Sequence, residues 1–494
     1  MGDVLSTVMN SFSAMTFILL FFGVIVGLIF GSIPGLTATM GVALFIPVTF
    51  SLDPASGLFL LLGVYVGGIS GGLVAATLLG IPGTPSSIAT TFDAFPMSKN
   101  GEPARALGIG IIASLIGGVL SFVVLVTIAP VISKMAVKMG PAEYFSLTFF
   151  ALMLISILSK GNMIKGISAG VIGIALSLIG FAPIDGTARF TFGNINLKSG
   201  IDLLPLIMGL FAISQILIEV QSETKKESIL FKVRGLGVSI KEIIANGWNI
   251  IRSSLIGIGF GILPGMGSGA SNIVAYAQAK QASKTPEKFG KGTPEGIWAA
   301  ETANNASVGG ALIPLITLGI PGDTVTAILL GGFMIHGIQP GPLLFKTNPD
   351  IIYIVYIGFA LAMLITFFVM MFGMKLFPHI LRIPPKFLYS FLLVMTVVGA
   401  YSTNYSIFDI WVMLLFGVIG YIMMKNDYPI APLILGFVLG PLCEQYLRRA
   451  LMSSGSVMEF FTRPVSAIFL LIALVLFIYT LYKEISGAKK QPAV

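Results

Sequence analysis

Long apolar runs separated by short polar stretches occupy most of this sequence. A helix that crosses the hydrocarbon core of a bilayer needs roughly 20 mostly apolar residues, and its backbone hydrogen bonds all lie within the helix. The pattern predicts an all-α polytopic membrane protein with about 11–13 transmembrane helices. The thirteen apolar segments lie near residues 14–30, 57–80, 106–131, 143–157, 166–181, 203–220, 249–263, 297–320, 351–376, 387–400, 409–424, 430–447 and 466–482.

Pro-Gly pairs interrupt the apolar pattern at four places that match in pairs. Gly31–Leu36 (GSIPGL) resembles Gly261–Met266 (GILPGM), and Leu79–Gly83 (LGIPG) resembles Leu318–Gly322 (LGIPG). Two motifs that occur in the same order in both halves indicate an internal duplication. We therefore predict two structural repeats.

Each Pro-Gly pair is expected to end one helix and to let another begin within the membrane. Proline lacks a backbone N–H group, and glycine tolerates a positive φ angle. The segments that follow the pairs are too short or too polar for ordinary spans. We predict half-helices or re-entrant hairpins near residues 34–50, 82–98, 264–280 and 321–340.

These breaks divide the chain into a first repeat (1–220), a polar linker (221–248), a second repeat (249–425) and C-terminal helices with a tail (426–494). Basic residues concentrate in the linker and in the tail, and the positive-inside rule places both in the cytoplasm. They are Lys225, Lys226, Lys232, Arg234 and Lys241 in the linker, and Lys483, Lys489 and Lys490 in the tail.

The relative orientation of the repeats stays open at this stage. The charge pattern predicts inverted repeats, whereas the six apolar segments between equivalent helices predict parallel ones. We favour inverted repeats, which many transporter folds contain.

Composition excludes several other classes of protein. Hydrophobic residues make up 55% of the chain and charged residues only 10%, too few for the surface of a soluble protein of this size. The net charge of +8 is spread between apolar runs and does not indicate a nucleic-acid-binding face. The single cysteine, Cys443, precludes an intrachain disulfide. We expect no cofactor other than Na⁺ as a coupling ion.

Interrupted hydrophobic segments at matching places in two halves are the best sequence indication of a transport site. A helix N-terminus presents free N–H groups and a partial positive charge, so several such ends can hold an anion without a cationic side chain. Small and polar residues follow all four breaks, and they are equally typical of helix caps. The candidate substrate-binding residues are Gly35, Thr37, Thr39, Gly83, Thr84, Ser86, Ser87, Gly265, Ser268, Ser271, Asn272, Gly322, Asp323, Thr324 and Thr326.

Ionisable and amide side chains within apolar surroundings are candidates for coupling a cation, because such groups are costly in a membrane. They are Asp93, Glu301, Asn304, Asn305 and Asp323. Capping roles remain the alternative for Asp93 and Asp323, and lining of a cavity is favoured for Glu301.

The glycine-rich runs Gly31–Met40, Gly67–Asn100, Gly261–Gln278 and Pro294–Pro342 resemble the large membrane subunit of the tripartite tricarboxylate transporter family. The resemblance implies a permease of the bacterial inner membrane that works with a small membrane subunit of about four helices and a periplasmic solute-binding protein. It further implies Na⁺- or H⁺-coupled uptake of di- or tricarboxylates.

Rival functions find less support in the sequence. The phosphate-binding loop of an ATP-driven pump is missing, and the sequence around Ser268 and Ser271 does not fit a G-x-S-x-G nucleophile motif, so we do not expect an enzyme. A gradient-driven channel, or a carrier for another small anion, remains the alternative.

Overall fold

The computed structural model describes residues 13–158, 163–221, 237–381 and 385–488. Helices account for nearly all of the regular structure in this part of the chain. They are α1 (Ala14–Ser32), α2 (Ala38–Thr49), α3 (Pro54–Leu78), α4 (Ile88–Lys99), α5 (Pro103–Ala136), α6 (Pro141–Leu158), α7 (Met163–Ser177), α8 (Leu203–Ile207), α9 (Ser214–Glu219), α10 (Ile240–Ala245), α11 (Gly247–Ile262), α12 (Gly267–Ala282), α13 (Pro294–Leu318), α14 (Thr324–Ile335), α15 (Leu344–Thr347), α16 (Pro349–Gly373), α17 (Phe377–Ile380), α18 (Pro385–Asn404), α19 (Ile407–Lys425), α20 (Ile430–Ser454), α21 (Glu459–Thr462) and α22 (Pro464–Ala488).

Seven helices in the described residues are long and apolar enough to cross a membrane: α1, α3, α5, α16, α19, α20 and the Pro464–Tyr482 part of α22. Shorter apolar helices account for further predicted segments, among them α6, α7 and α14. The prediction of an all-α polytopic membrane protein is therefore confirmed.

Helix α13 corrects the interpretation of residues 297–320 as an ordinary span. It is not among the long apolar helices, because it carries a carboxylate and two amide side chains near its middle. Protein covers its side chains along nearly the whole length, as it covers those of α3 in the first half. Both helices are thus shielded from lipid, which is how polar groups are tolerated at this depth.

The Pro-Gly pairs end helices where the sequence predicts. In the first half α1 ends at Ser32 and α3 at Leu78, and in the second half α11 ends at Ile262 and α13 at Leu318. Helices α2, α12 and α14 begin directly after their breaks, and α4 follows a single 3₁₀ turn. Gly35 and Gly265 adopt φ angles of +93° and +80°, which explains the need for glycine beside each proline.

Equivalent glycines bring α1 onto α3 and α11 onto α13. A Cβ atom at Gly31 would lie 2.2 Å from the Gly68 carbonyl oxygen, and one at Gly261 would lie 2.3 Å from the Ser307 carbonyl oxygen. Gly68 and Ser307 stand at the same distance before the second Pro-Gly motif of their halves. The two halves therefore pack their first two long helices by the same contact.

The two breaks of each half also meet in the same way. A Cβ atom at Gly83 would lie 2.3 Å from the Gly31 carbonyl oxygen, and one at Gly322 would lie 2.2 Å from the Gly261 carbonyl oxygen. Only glycine permits the backbone of the second break to approach the end of the first helix so closely.

Long helices cross between the halves. Helix α5 packs on α13, where a Cβ atom at Gly117 would lie 2.2 Å from the Thr302 carbonyl oxygen. Helix α16 packs on α3, where Gly358 faces the Leu62 side chain. Each half therefore supplies a helix that covers the buried helix of the other half.

The C-terminal helices and a small hairpin complete the described fold. Helices α20 and α22 pack on α6 and α7. Strands β1 (Gly180–Phe181) and β2 (Ala188–Arg189) pair antiparallel, and Arg189 forms an ion pair of 2.8 Å with Glu444 of α20. Strands of two residues have no recognisable period, so this hairpin was not predicted.

Most of the charge evidence for the cytoplasmic linker falls outside the described residues. Lys225, Lys226, Lys232, Arg234, Lys489 and Lys490 all lie there, whereas Lys241 lies in α10. The cytoplasmic placement of the linker stays a prediction.

We expect a Gly261→Ala substitution to destabilise the protein and a Gly259→Ala substitution on the same helix to be tolerated. The added methyl at position 261 would clash with the α13 backbone, whereas a methyl at position 259 would have no atom within 4 Å. Overpacking of this kind costs about 1–3 kcal/mol, while glycine to alanine in a helix gains up to about 1 kcal/mol. Heating the purified protein in detergent, followed by size-exclusion chromatography, measures both effects. Equal midpoints for the two variants would contradict the close packing.

Candidate functional site

The first and fourth breaks meet through the half-helices that follow them. The hydroxyl oxygens of Thr39 in α2 and Thr324 in α14 are 3.4 Å apart, within hydrogen-bond range. Thr37 caps α2, because its side chain accepts a hydrogen bond of 3.1 Å from the N–H of Met40. Two helix N-terminal ends from different halves therefore lie side by side.

The second and third breaks meet in the same manner. The Asn272 side chain of α12 accepts a 2.7 Å hydrogen bond from the N–H of Ala89 and donates one of 3.3 Å to the Thr90 hydroxyl. A Cβ atom at Gly269 would lie 3.7 Å from the backbone of Pro85. Asn272 thus holds the start of α12 against the start of α4.

A backbone hydrogen bond joins the two pairs. The N–H of Gly265 in the third break donates to the carbonyl oxygen of Gly322 in the fourth break, at 2.9 Å. Gly267 lies against Asp323, because a Cβ atom added at Gly267 would be 2.6 Å from the Cβ atom of Asp323. Together with the glycine contacts within each half, these bonds bring all four breaks into one centre.

Several of the predicted hydroxyl groups are satisfied within this centre. The Thr84 and Ser86 hydroxyls are 2.8 Å apart, and the Ser87 hydroxyl donates to the Thr84 carbonyl oxygen at 2.9 Å. Ser271 donates to the carbonyl oxygen of Ser268 at 3.1 Å. In this conformation their hydrogen bonds fix the shape of the breaks.

Asp323 is the N-cap of α14 and is tied to the other half of the protein. One carboxylate oxygen accepts from the N–H and the hydroxyl of Thr326, both at 2.7 Å. The other accepts from the hydroxyl of Tyr65 in α3, also at 2.7 Å. The capping alternative for Asp323 therefore describes its place in this structure. Tyr65 was not predicted, although a tyrosine within a glycine-rich apolar helix is a recognisable exception.

Asp93 holds the polar loop between α12 and α13, which changes its predicted role. Its Oδ1 atom accepts hydrogen bonds from the N–H groups of Gly290, Gly292 and Thr293 at 2.9, 2.8 and 2.9 Å. Its Oδ2 atom accepts one of 2.9 Å from the Tyr276 hydroxyl. Three of its four donors are backbone N–H groups of the loop, so in this structure Asp93 anchors the loop.

Glu301, in contrast, lies in the polar centre beside the breaks. Its Oε1 atom accepts from the Thr90 hydroxyl at 2.5 Å. Its Oε2 atom accepts from Ser114 at 3.3 Å and from the side-chain amides of Asn304 and Asn305 at 3.3 and 3.4 Å. The predicted grouping of Glu301, Asn304 and Asn305 is therefore present in the fold, and it contacts the second break through Thr90.

Access to the centre differs among its residues. Gly35, Thr37, Gly265 and Thr324 keep intermediate exposure, while the other hydroxyl and amide side chains of the breaks are buried.

Comparisons with known proteins give one family and two relatives. The family described as "Tripartite tricarboxylate transporter TctA family" matches residues 17–435. An uncharacterized 52.8 kDa protein in the TAR-I ttuC' 3' region of Agrobacterium vitis is 33% identical over 470 residues, which are 95% of this chain and 94% of the relative. An uncharacterized protein in the TAR-II ttuC' 3' region of the same organism is 35% identical over 232 residues, 47% of this chain and 96% of the relative.

The chain belongs to the TctA family. Membership makes it a multi-pass membrane component of the tripartite tricarboxylate transporter type, and it confirms the resemblance found in the glycine-rich runs. No solved structure gives a significant match. The arrangement of the breaks therefore comes from the present structure alone.

One further carboxylate of this TctA-family chain lies at the first break and was not predicted. A Cβ atom at Gly35 would be 2.2 Å from the carboxylate carbon of Glu219, at the end of α9. Gln215 donates to this carboxylate at 3.2 Å, and Tyr389 donates to it at 3.4 Å. Nothing in the local sequence relates Glu219 to Gly35, because the two are distant along the chain.

We expect a disulfide to form between cysteines placed at Thr39 and Thr324. Their hydroxyl oxygens are 3.4 Å apart, so the side chains already point at each other as disulfide formation requires. Cys443 is first replaced by alanine, and a protease site is inserted after the exposed Lys284. After oxidation and cleavage, the two halves should stay together on a non-reducing gel and separate on a reducing one.

Each single-cysteine variant serves as the control for this experiment and should release two fragments under both conditions. Complete separation of the double-cysteine variant under oxidising conditions would show that the first and fourth breaks do not meet.

Proposed function

We propose that this chain is the large permease subunit of a secondary transporter that takes up an organic di- or tricarboxylate together with Na⁺ or H⁺. A periplasmic binding protein delivers the substrate, and a small membrane subunit of about four helices completes the assembly in the bacterial inner membrane. The observation that carries the proposal is the meeting of four chain breaks, two from each half, in one buried polar centre.

The ends of the half-helices provide the chemistry for a carboxylate. Helix N-termini offer N–H donors and a partial positive charge, which stabilise an anion. No Lys, Arg or His occurs at residues 33–40, 80–88, 263–272 or 319–327. A carboxylate would thus be bound by backbone dipoles and by hydroxyls such as Thr37, Thr39 and Thr324. Such binding suits a transport site, because the substrate has to leave again.

Glu219 shows that the first break has room for a carboxylate. Its own carboxylate already lies against Gly35, with hydrogen-bond donors on both oxygens. The break therefore accommodates this chemical group sterically. A substrate carboxylate at the neighbouring ends of α2 and α14 would meet the same kind of backbone surface.

Glu301 supports coupling to a cation. Its side chain is fully buried, and a charge removed from water is costly unless it is paired or neutralised. Anion and cation that bind in one centre would offset each other's cost of leaving water. Asn304 and Asn305 complete this proposed coupling site, whereas Asp93 is left out because the loop backbone occupies it.

The interleaved halves suit alternating access. Helix α5 covers α13 of the other half, and α16 covers α3. A rocking of one half against the other would move these pairs while the breaks stay at the interface, as in transporters with inverted repeats. We propose inverted repeats here on that ground and on the charge pattern.

A gradient-driven channel, or a carrier for another small anion, is the second candidate. Glycine-rich breaks also build selectivity filters. A coupled carrier shows saturable uptake that collapses with the ion gradient, whereas a channel does not accumulate substrate against its own gradient.

We expect the Thr39→Val and Thr324→Val double substitution to weaken the apparent affinity for citrate by about tenfold or more. A hydrogen bond to a charged group contributes about 1.5–3 kcal/mol, and each 1.4 kcal/mol is about tenfold in affinity. Uptake is measured in membrane vesicles that hold both membrane subunits, with the binding protein added, over a panel of organic acids with and without Na⁺.

Thr127→Val on α5 is the matched control. The Thr127 hydroxyl is exposed and donates to Val123 in its own helix, so affinity should stay at the wild-type value. If the double variant keeps the wild-type affinity for both substrate and cation, the breaks do not form the transport site.

A further inference from the structure

The Glu301 carboxylate lies in a fully buried position among neutral partners. It accepts hydrogen bonds from Thr90, Ser114, Asn304 and Asn305. Within the described part of the chain, no cationic side chain bonds to it. Hydrogen bonds alone do not remove the cost of a bare charge in such surroundings, so the carboxylate has to gain a cation or a proton.

We propose that Glu301 binds and releases the coupling ion as a proton, which rests on the proposed cation-coupled uptake. The donors around the carboxylate suit a proton, but Oδ1 of Asn304 is a buried oxygen without a hydrogen-bond partner among the described residues, so Na⁺ is the rival ion that the test below has to exclude. Two of the three groups at Oε2 are amide N–H groups, of Asn304 and Asn305, and N–H groups do not ligate metals. The Oε1 atom faces a single hydroxyl, Thr90, at 2.5 Å. A proton needs only this one position, whereas a metal ion needs several oxygen ligands around it.

A small cavity lies beside the hydrogen-bond partners of Glu301. It has a volume of about 10 Å³, close to the space of one water molecule, and is bordered by Ser70, Ser114, Asn305 and Thr366. Ser114 and Asn305 both donate to Glu301, and the Thr366 hydroxyl of α16 has no hydrogen-bond partner among the described residues. A water molecule here would join Thr366 to the partners of Glu301 across the interface of the two halves.

Thr90 transmits the charge state of Glu301 to the breaks. When Glu301 is ionised, the Thr90 hydroxyl donates to Oε1 while its oxygen accepts from the Asn272 amide. When Glu301 is protonated, the carboxyl donates to the Thr90 oxygen, and the Thr90 hydrogen has to turn to another acceptor. Asn272 holds α12 to α4 through the N–H of Ala89, so this exchange takes place at the contact of the second and third breaks.

The transport step then balances as follows. On the outward-facing side a proton leaves water and forms an O–H bond at Oε1 of Glu301, which becomes neutral. The substrate carboxylate binds at the breaks and the two halves rock. On the inward-facing side the O–H bond breaks, and the proton returns to water with the released substrate.

The test compares wild type with Glu301→Gln in proteoliposomes that contain both membrane subunits, with citrate-loaded binding protein outside. A pH-sensitive dye in the lumen records proton entry at a pH at which citrate is fully ionised, in Na⁺-free buffer. We expect the wild type to acidify the lumen during citrate uptake. The neutral Gln variant should lose both acidification and accumulation, yet still exchange internal for external citrate.

Matched variants separate a proton site from a merely structural role. Glu301→Asp keeps a titratable carboxyl and should retain proton entry, even at a lower rate of uptake. Thr90→Val removes one donor from the ionised carboxylate, so the pH profile of uptake should shift to higher pH. Glu287→Gln, at an exposed carboxylate in the loop before α13, should behave like the wild type. Size-exclusion elution confirms that each variant folds.

The outcomes distinguish this inference from the proposed function. Citrate uptake that requires Na⁺ and leaves the lumen pH unchanged would overturn the proton on Glu301 and leave cation-coupled transport standing. Proton entry that persists in Glu301→Gln would likewise overturn it. A wild-type assembly that moves no organic acid would overturn both.

Discussion

The close approach of glycine-bearing backbones is the constraint on which this structure depends. A chain that breaks a helix inside a membrane frees N–H and C=O groups that lipid cannot satisfy, so protein has to cover them. Gly83 lies on the Gly31 carbonyl and Gly322 on the Gly261 carbonyl, and the N–H of Gly265 bonds to Gly322. Side chains at these glycines would separate the breaks and leave their polar groups without partners.

The two repeats share this packing, but the helices that it buries, α3 and α13, differ in polarity. By the alignment of the second motifs, Leu62 and Tyr65 of α3 correspond to Glu301 and Asn304 of α13. Both helices are enclosed by protein, yet only α13 carries a carboxylate at that level. The duplication thus provides a symmetric frame of backbone, and substitution in one copy supplies the titratable group. Under the proposed function, this asymmetry would let one frame hold an anion with its backbone and a cation with its side chains.

Local chemistry made the breaks and the starts of the half-helices predictable, because proline and glycine act on their own neighbours along the chain. The sequence placed the half-helices near the observed α2, α4, α12 and α14 for that reason. The partners across the fold were not predictable in this way. Tyr65 meets Asp323, Glu219 meets Gly35 and Asp93 meets the loop before α13, and no local pattern records such long-range pairs. Asp93 shows the consequence: a carboxylate in apolar sequence has the same appearance whether it anchors a loop or carries an ion.

Under the proposed function, the position of Glu301 would relate ion binding to substrate binding by geometry. A carboxylate far from the breaks would change its charge without effect on the substrate site, since electrostatic influence weakens with distance. The Thr90 hydroxyl links Glu301 to the Asn272 amide, which holds α12 against α4. The Asn305 amide links Glu301 to Ser114 of α5 and to Ser70 of α3. A movement of the halves against each other therefore changes the hydrogen bonds of Glu301. A change in the charge of Glu301 in turn changes which arrangement of the halves those hydrogen bonds stabilise. Such reciprocity is what coupling between two ligands requires thermodynamically.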